Sequence, residues 1–364
     1  MAVVLDYERL QALIYGATFF GAGGGGSISG GLALLNELGE SVKVEMLEVG
    51  EMPSGTWSTM VAGLGSPIAM KDLNFGPLAV SAVEGMISIA KSLQKREVSC
   101  IYSGEQGGFN TMVPIYTAAK LGLPILDLDA NGRAVPELNT GLNPVYDIPL
   151  PPLILSNQTG DITVGLPKNA QDNAACETLA RTVSTAYGGV GFSAWLMNQS
   201  MHRTVSVLGQ LSLSIEVGRI FLKKPVDSRD LIDRLRSVGV APKVFTEGEI
   251  TNIDVKVEDG FDYGKTEITE IGGKHVFQVD FKNENMIIWG PQKEALLVVP
   301  ELIILVNLET MEPLSNADTA VGQRVLLLGV PAPRQWWDKP AGYDCWANIL
   351  KQIGYCEIGP AVRI

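Results

Sequence analysis

The sequence predicts an α/β first domain with a mostly parallel sheet over residues 1–150, then an α+β second domain over 151–364 whose later part is β-rich, as a sandwich or barrel. Three observations carry this reading. Before residue 130, short β-branched segments alternate with amphipathic helical ones. The stretch Ile148-Pro149-Leu150-Pro151-Pro152, followed by Asn157 to Gly160, can continue neither a helix nor a central strand, so it marks a boundary. From 243 to 328 the texture changes to short β-branched runs broken by Asp-Gly, Gly-Gly and Asn-Glu-Asn turns, the mark of antiparallel pairing. At 364 residues the chain exceeds the size at which one core stops growing, so a ligand cleft between two domains is expected.

The elements follow in order. Asp6 caps a helix over 6–19 with Leu10, Leu13, Ile14 and Ala17 on one face, and a glycine run ends it. Strands are expected at 42–49, 59–64, 98–102 and 125–128, and helices at 78–95 and 110–121, the latter closed by Gly122. Beyond the proline stretch, helices are expected at 173–187, 204–222 and 228–238, the last capped by Asp227 or Ser228. The β-rich part then runs to about residue 330, and a tail closes the chain, placed against the first domain.

Composition narrows the function. Forty acidic against 28 basic residues leave a formal net charge of −12, with no long basic run, which argues against a nucleic-acid partner. Four cysteines without a CxxC point to reduced thiols in a cytoplasm. The apolar stretch at 10–20 follows Asp6 and Glu8, the wrong flank for an export signal. The run 295–306 contains Pro300 and Glu301 and is too short to span a bilayer. The low charged fraction, 19%, leaves room for a homo-oligomer contact.

Three motifs can carry chemistry. Gly21-Ala22-Gly23-Gly24-Gly25-Gly26 offers backbone amides free of side chains, so Gly23, Gly24, Gly25 and Gly26 are candidate substrate contacts. It follows a helix rather than a strand, unlike a dinucleotide fingerprint. Residues 102–111 join a strand to a helix at the edge where α/β sheets bind ligands. Glu105 is there a candidate acid or base, with Gln106, Gly107, Gly108, Asn110 and Thr111 as binding residues, or Asn110 and Thr111 as mere helix caps. Residues 127–137 reach the same edge. In an extended chain Asp127 and Asp129 share a face roughly 7 Å apart, close enough to raise each other's proton affinity and yield a general base. Arg133 can pair with one of them or clamp a substrate carboxylate, and Glu137 is a further binding candidate; an Asn-Gly turn with a structural ion pair is the plain alternative.

No cofactor is expected. His202 and His275, the only histidines, do not form a zinc set with the scattered cysteines, and no GxSxG is present. A divalent metal at Asp127, Asp129 and Glu105 is the minor alternative. The aromatic group Trp336, Trp337, Tyr343 and Trp346 suits interdomain packing or closure over a flat ligand.

Taken together, the glycine-rich turn, GEQGGFNT at 104–111 and DLDANGRAVPE at 127–137 resemble the hydantoinase/oxoprolinase-associated family, some members of which are described as S-methyl thiohydantoin desulfurases. The resemblance covers most of the chain and is strongest before residue 140, with Gly322-Gln323-Arg324-Val325 and Gly342-Tyr343-Asp344 as looser later features. Ser27-Ile28 stands where the family has an acidic residue and a proline, and Asp338-Lys339-Pro340-Ala341 replaces its usual Gly-Pro-Arg-Ala-Phe. The resemblance implies a hydrolase that exchanges the sulfur substituent of a small five-membered imide-like ring for oxygen. Two readings compete with it: a non-catalytic partner of a hydantoinase or oxoprolinase, and a phosphate-ligand or nucleotide-binding protein using the glycine run.

Overall fold

The computed structural model describes residues 2–65, 75–258, 260–355 and 364. The first-domain strands are β1 (Val3–Leu5), β2 (Val44–Leu47), β3 (Trp57–Leu64), β4 (Val98–Ser103), β5 (Ile125–Asp129), β6 (Leu153–Ser156), β7 (Ile162–Gly165), β8 (Val190–Met197) and the short β9 (Val207–Leu208). Helices α1 (Tyr7–Phe20), α2 (Ile28–Leu38), α3 (Phe75–Ile89), α4 (Met112–Leu121), α5 (Asn173–Tyr187), α6 (Gln199–Val205), α7 (Gln210–Leu222) and α8 (Ser228–Ser237) accompany them. The second sheet holds β10 (Lys243–Glu258), β11 (Phe261–Glu270), β12 (Val276–Lys282), β13 (Glu284–Trp289), β14 (Ala295–Val298), β15 (Leu302–Asn307), β16 (Glu312–Leu314) and β17 (Arg324–Val330).

The first sheet runs β1-β2-β5-β4-β3-β8-β6-β7, with β9 on the end of β5. Only β2, β5, β4 and β3 are mutually parallel; β1, β8, β6, β7 and β9 pair antiparallel. The sheet is therefore mixed, which corrects the mostly parallel expectation. The proline stretch does not end it: β6, β7 and β8 lie past residue 150 and extend the same sheet beyond β3. The second domain is a single antiparallel path, β14-β13-β12-β11-β10-β17-β15-β16. Among the described residues no pairing joins its ends into a barrel.

Alternation in the central strands places the layers. Ile101 and Ile125 pack with Leu10, Leu13 and Ile14 of α1, Leu34 and Leu35 of α2 and Ile115 of α4. Cys100, Tyr102, Leu126 and Leu128 point the other way, into a core that also holds Met286, Ile287, Leu302 and Leu326 of the second domain. One face of the parallel strands is thus clothed by helices, and the other shares its core with the second sheet. The tail after β17 returns to the first domain, where Trp336 donates to the Asn131 carbonyl at 2.9 Å and packs against Trp346.

Local signals explain most elements. Asp6 accepts from the Arg9 amide and starts α1; Asp227 does the same for α8 through Asp230. The helix expected over 204–222 is instead two. Val207 and Leu208 pair with Asp129 and Leu128, and Gly209, at φ 74°, turns the chain into α7. A Cβ on Gly218 would stand 1.7 Å from the Ala12 carbonyl, and one on Gly16 would stand 1.7 Å from that of Ser214. Helices α1 and α7 therefore touch backbone to backbone. Gly218→Ala forces them apart and is expected to cost about 3 kcal/mol or more, read as a fall in the urea midpoint.

Candidate functional site

The parallel strands β4 and β5 end side by side, so the loops that follow them meet at one edge. The Ala130 amide donates to the Ser103 carbonyl at 2.9 Å, and Asn131 Nδ2 to the Gly104 carbonyl at 2.8 Å. Asp129 is the peg of this junction. Fully buried, it accepts from Ser103 Oγ (2.7 Å), Gln106 Nε2 (3.0 Å) and the amides of Asn131 (2.9 Å) and Gly132 (2.6 Å). Burial pushes its pKa up to about 6 against the pull of these four bonds. Gln106, itself buried, accepts from Ser214 Oγ at 2.7 Å and so ties the loop to α7.

Asp127 goes elsewhere. Its carboxylate accepts from the Ser212 amide (2.9 Å) and hydroxyl (2.6 Å), and its carbonyl takes the Gly209 amide. It caps α7 from a neighbouring strand. The expected Asp127–Asp129 pair does not form, because each carboxylate is committed to different partners.

Glu105 stands at the same edge. It is partly exposed, held by Asn110 Nδ2 on Oε1 (2.5 Å) and by the Val135 amide on Oε2 (3.0 Å). Burial, aided by the charge of Asp129, raises its pKa to about 7 despite those two donors. Thr111 accepts from the Gly107 amide and bonds the Glu105 carbonyl, so it shapes the loop rather than facing solvent.

Arg133 crosses into the second domain instead of facing a ligand. Wholly buried, it donates to the carbonyls of Ala134, Pro300 (2.7 Å), Glu301 (3.0 Å) and Asn285 (3.4 Å), and lies over the Trp346 ring. Its expected role as a carboxylate clamp is overturned: the fork is spent on backbone. Burial lowers its pKa to about 10, against the opposing charges of Glu284 and Glu301. Glu137, also singled out from sequence, is salt-bridged to Lys282, whose side chain is only 1% exposed and lies over the Phe261 ring at 4.2 Å.

The glycine run is a packed wall. The amides of Phe109 and Asn110 donate to the Gly25 carbonyl, Asn285 to that of Ala22 and Asn316 to that of Gly23. Gly23, Gly24 and Gly25 are buried, and only Gly26 reaches solvent. A Cβ on Gly24 would stand 2.2 Å from Glu284 Oε1, and one on Gly25 2.2 Å from the Gln106 carbonyl. An open phosphate cradle is absent here: the protein's own Glu284 carboxyl seats against Gly24. Gly107 and Gly108 likewise pack on Gly25 and Ser27. Ser27, the departure from the family pattern, accepts from the Gly30 amide at 3.1 Å and caps α2.

Sequence reasoning missed Glu284, Asn285, Glu301 and Lys282. All four are almost fully buried, and Glu284 Oε2 and Asn285 Oδ1 have no hydrogen-bond partner. The signal is present: Lys282-Asn283-Glu284-Asn285 is a polar run between two strands, which from sequence alone reads as an ordinary turn. His202 lies apart, buried with Nε2 2.6 Å from Ser58 Oγ and Nδ1 2.8 Å from Ser206 Oγ, its pKa lowered by burial to about 3. Among the described residues no group of three or more His, Cys, Asp or Glu forms a metal set, and no helix is long and apolar enough to cross a membrane.

The raised carboxyls make stability pH-dependent. Folded Glu105 and Asp129 keep protons that the unfolded chain releases near pH 4, so their contribution is complete below that range and is lost as pH climbs through about 6 to 7. The thermal midpoint is expected to fall between roughly pH 5 and pH 8, less steeply in Glu105→Gln.

Fold and site together define a two-domain α/β protein whose buried carboxyls gather where a first-domain strand edge meets a second-domain hairpin. A family model for the S-Me-THD-like N-terminal domain matches residues 8–165, and one for the S-Me-THD-like C-terminal domain matches 171–360. The chain belongs to this family, the S-methyl thiohydantoin desulfurase-like proteins. A crystal structure of a protein from Chromobacterium violaceum shares the fold at a TM-score of 0.86, with 24% identity over 99% of this chain and 100% of that one. No curated protein matches.

Proposed function

We propose that the protein is a hydrolytic desulfurase of a small cyclic S-methyl thiohydantoin, yielding hydantoin and a thiol. Family membership supports the substrate class. The observation that carries the chemistry is Glu105, a half-buried residue at the strand edge whose carboxyl is raised by burial to a pKa of about 7, the value that suits a general base at neutral pH. Ionised Glu105 takes a proton from water as the oxygen attacks the ring carbon bearing sulfur. Asn110 and the Val135 amide hold the carboxylate in place, and Asp129 keeps its proton affinity up. The glycine run sets the position of Asn110 through the Gly25 carbonyl, and the exposed Gly26 backbone offers an amide donor for developing negative charge. Incubating the purified chain with an S-methyl thiohydantoin in water enriched in heavy oxygen tests this. Free thiol and one labelled oxygen in the hydantoin are expected; no thiol, or thiol without label, contradicts it.

A further inference from the structure

The second sheet has a long open edge. Strand β10 pairs with β11 from Gly248 to Glu258, but β17 covers its other side only from Lys243 to Glu249, and the last bonds on that side join Ile250 to Gln323 and Gly322. Among the described residues no strand pairs with 251–258 there. The strands that end the two sheets are short: β1 and β16 have three residues each, β7 and β14 four. A long strand with one idle row of amides and carbonyls is a template for another strand.

Its two faces differ. Ile253, Val255 and Val257 share one of them, with Val255 51% and Val257 54% exposed, so the apolar side chains form a stripe rather than a scatter. Asn252, Asp254, Lys256 and Glu258 occupy the other, all exposed. Lys256 salt-bridges Glu258 of its own strand at 2.9 Å. Alternating charges on an edge turn unrelated strands away. These charges are self-complementary, because a half-turn about Val255 exchanges the places of Asp254 and Lys256.

We infer that the edge 252–258 is a homodimer interface, on which a second copy of the chain pairs antiparallel about a two-fold axis through Val255. Val255 then faces the second copy's Val255, Ile253 its Val257, and Asp254 its Lys256, the last two contacts occurring twice by symmetry. An ammonium has three donors, so Lys256 meets the new carboxylate without leaving Glu258.

Other registers fail on the same residues. A shift that pairs Asp254 with Val255 sets the charged face of one strand against the apolar face of the other. Centring on Asp254 places that carboxylate opposite itself; centring on Lys256 opposes two ammonium groups and sets Asp254 against Glu258. A centre on Ile253 brings Lys256 to Ile250, whose backbone already bonds Gln323 and Gly322. A centre on Val257 carries Asp254 to the turn at Gly260 and leaves Ile253 with no strand residue across from it. The inference does not depend on the reaction at Glu105.

Sedimentation velocity of the whole chain tests it, in about 0.15 M salt to screen the net charge of −12. A single strand pairing is a small interface, so a monomer–dimer equilibrium with a dissociation constant on the order of 10 μM is expected. Asp254→Lys and Lys256→Asp each oppose like charges twice and are each expected to weaken the dimer at least about tenfold. An equimolar mixture of the two variants restores opposite charges in both places and is expected to dimerise again, as is the double variant carrying both substitutions. Both side chains are exposed, and circular dichroism checks each fold. Should a variant not fold, hydrogen exchange of the wild type decides: amides within 252–258 are expected to exchange more slowly in concentrated than in dilute solution. A wild type that stays monomeric, a dimer indifferent to both single substitutions, a mixture that does not recover, or exchange independent of concentration overturns the proposal.

Discussion

Replacing Arg133 by alanine is expected to cost about 3 to 5 kcal/mol of folding stability, the usual penalty for breaking a buried charged cluster by removing one partner. Four carbonyls, those of Ala134, Asn285, Pro300 and Glu301, lose donors in a place where water does not replace them. Glu284 and Glu301 lose the favourable charge of the buried guanidinium, and the Trp346 ring loses the cation above it. Since Arg133 belongs to the first domain and three of its acceptors to the second, the loss falls on the junction itself. Urea unfolding followed by tryptophan fluorescence reads it directly, because Trp346 sits at the same place. A variant as stable as the wild type would mean that the junction is held by other contacts.

Glu105→Gln is expected to have the opposite signature. Glutamine retains the shape, still accepts from Asn110 or Val135, and removes a charge that burial penalises, so stability near pH 8 is expected to hold or rise. Loss of the base is expected to slow thiol release by about 10² to 10⁴. The two substitutions thus separate framework from chemistry within one cluster.

Much of the fold was legible because it is locally encoded. Asp6 and Asp227 are helix caps in sequence as in space, and 173–187 carries a helical face from Asp172 to Gly188. The mixed sheet was not, because whether 190–197 pairs parallel or antiparallel to β3 depends on how the chain returns, which no local signal states. Ser206 to Gly209 misled for the same reason: Val207 and Leu208 suit a helix until Leu128 and Asp129 offer a strand to pair with.

The site was half legible. Motif position puts the 104–111 and 127–137 loops at one edge, where the Glu105 backbone carbonyl and the Asp129 carboxylate both accept from the Ser103 hydroxyl. Strand alternation points to Asp127 and the donor fork to Arg133, and neither signal reveals that a helix terminus or a row of carbonyls claims the side chain. Glu284 and Lys282 stand out in sequence only as part of a polar run between strands; that they join a site about 150 residues away depends on the interdomain contact, which no local signal states.

The most direct measurement compares methanethiol release from an S-methyl thiohydantoin by the purified wild type and by Glu105→Gln near pH 8, with both folds verified by thermal melting. The account expects steady turnover by the wild type, rising with pH through a midpoint near 7, and a variant that folds but is nearly inert. Equal release by the two proteins, or none by the wild type, would contradict it.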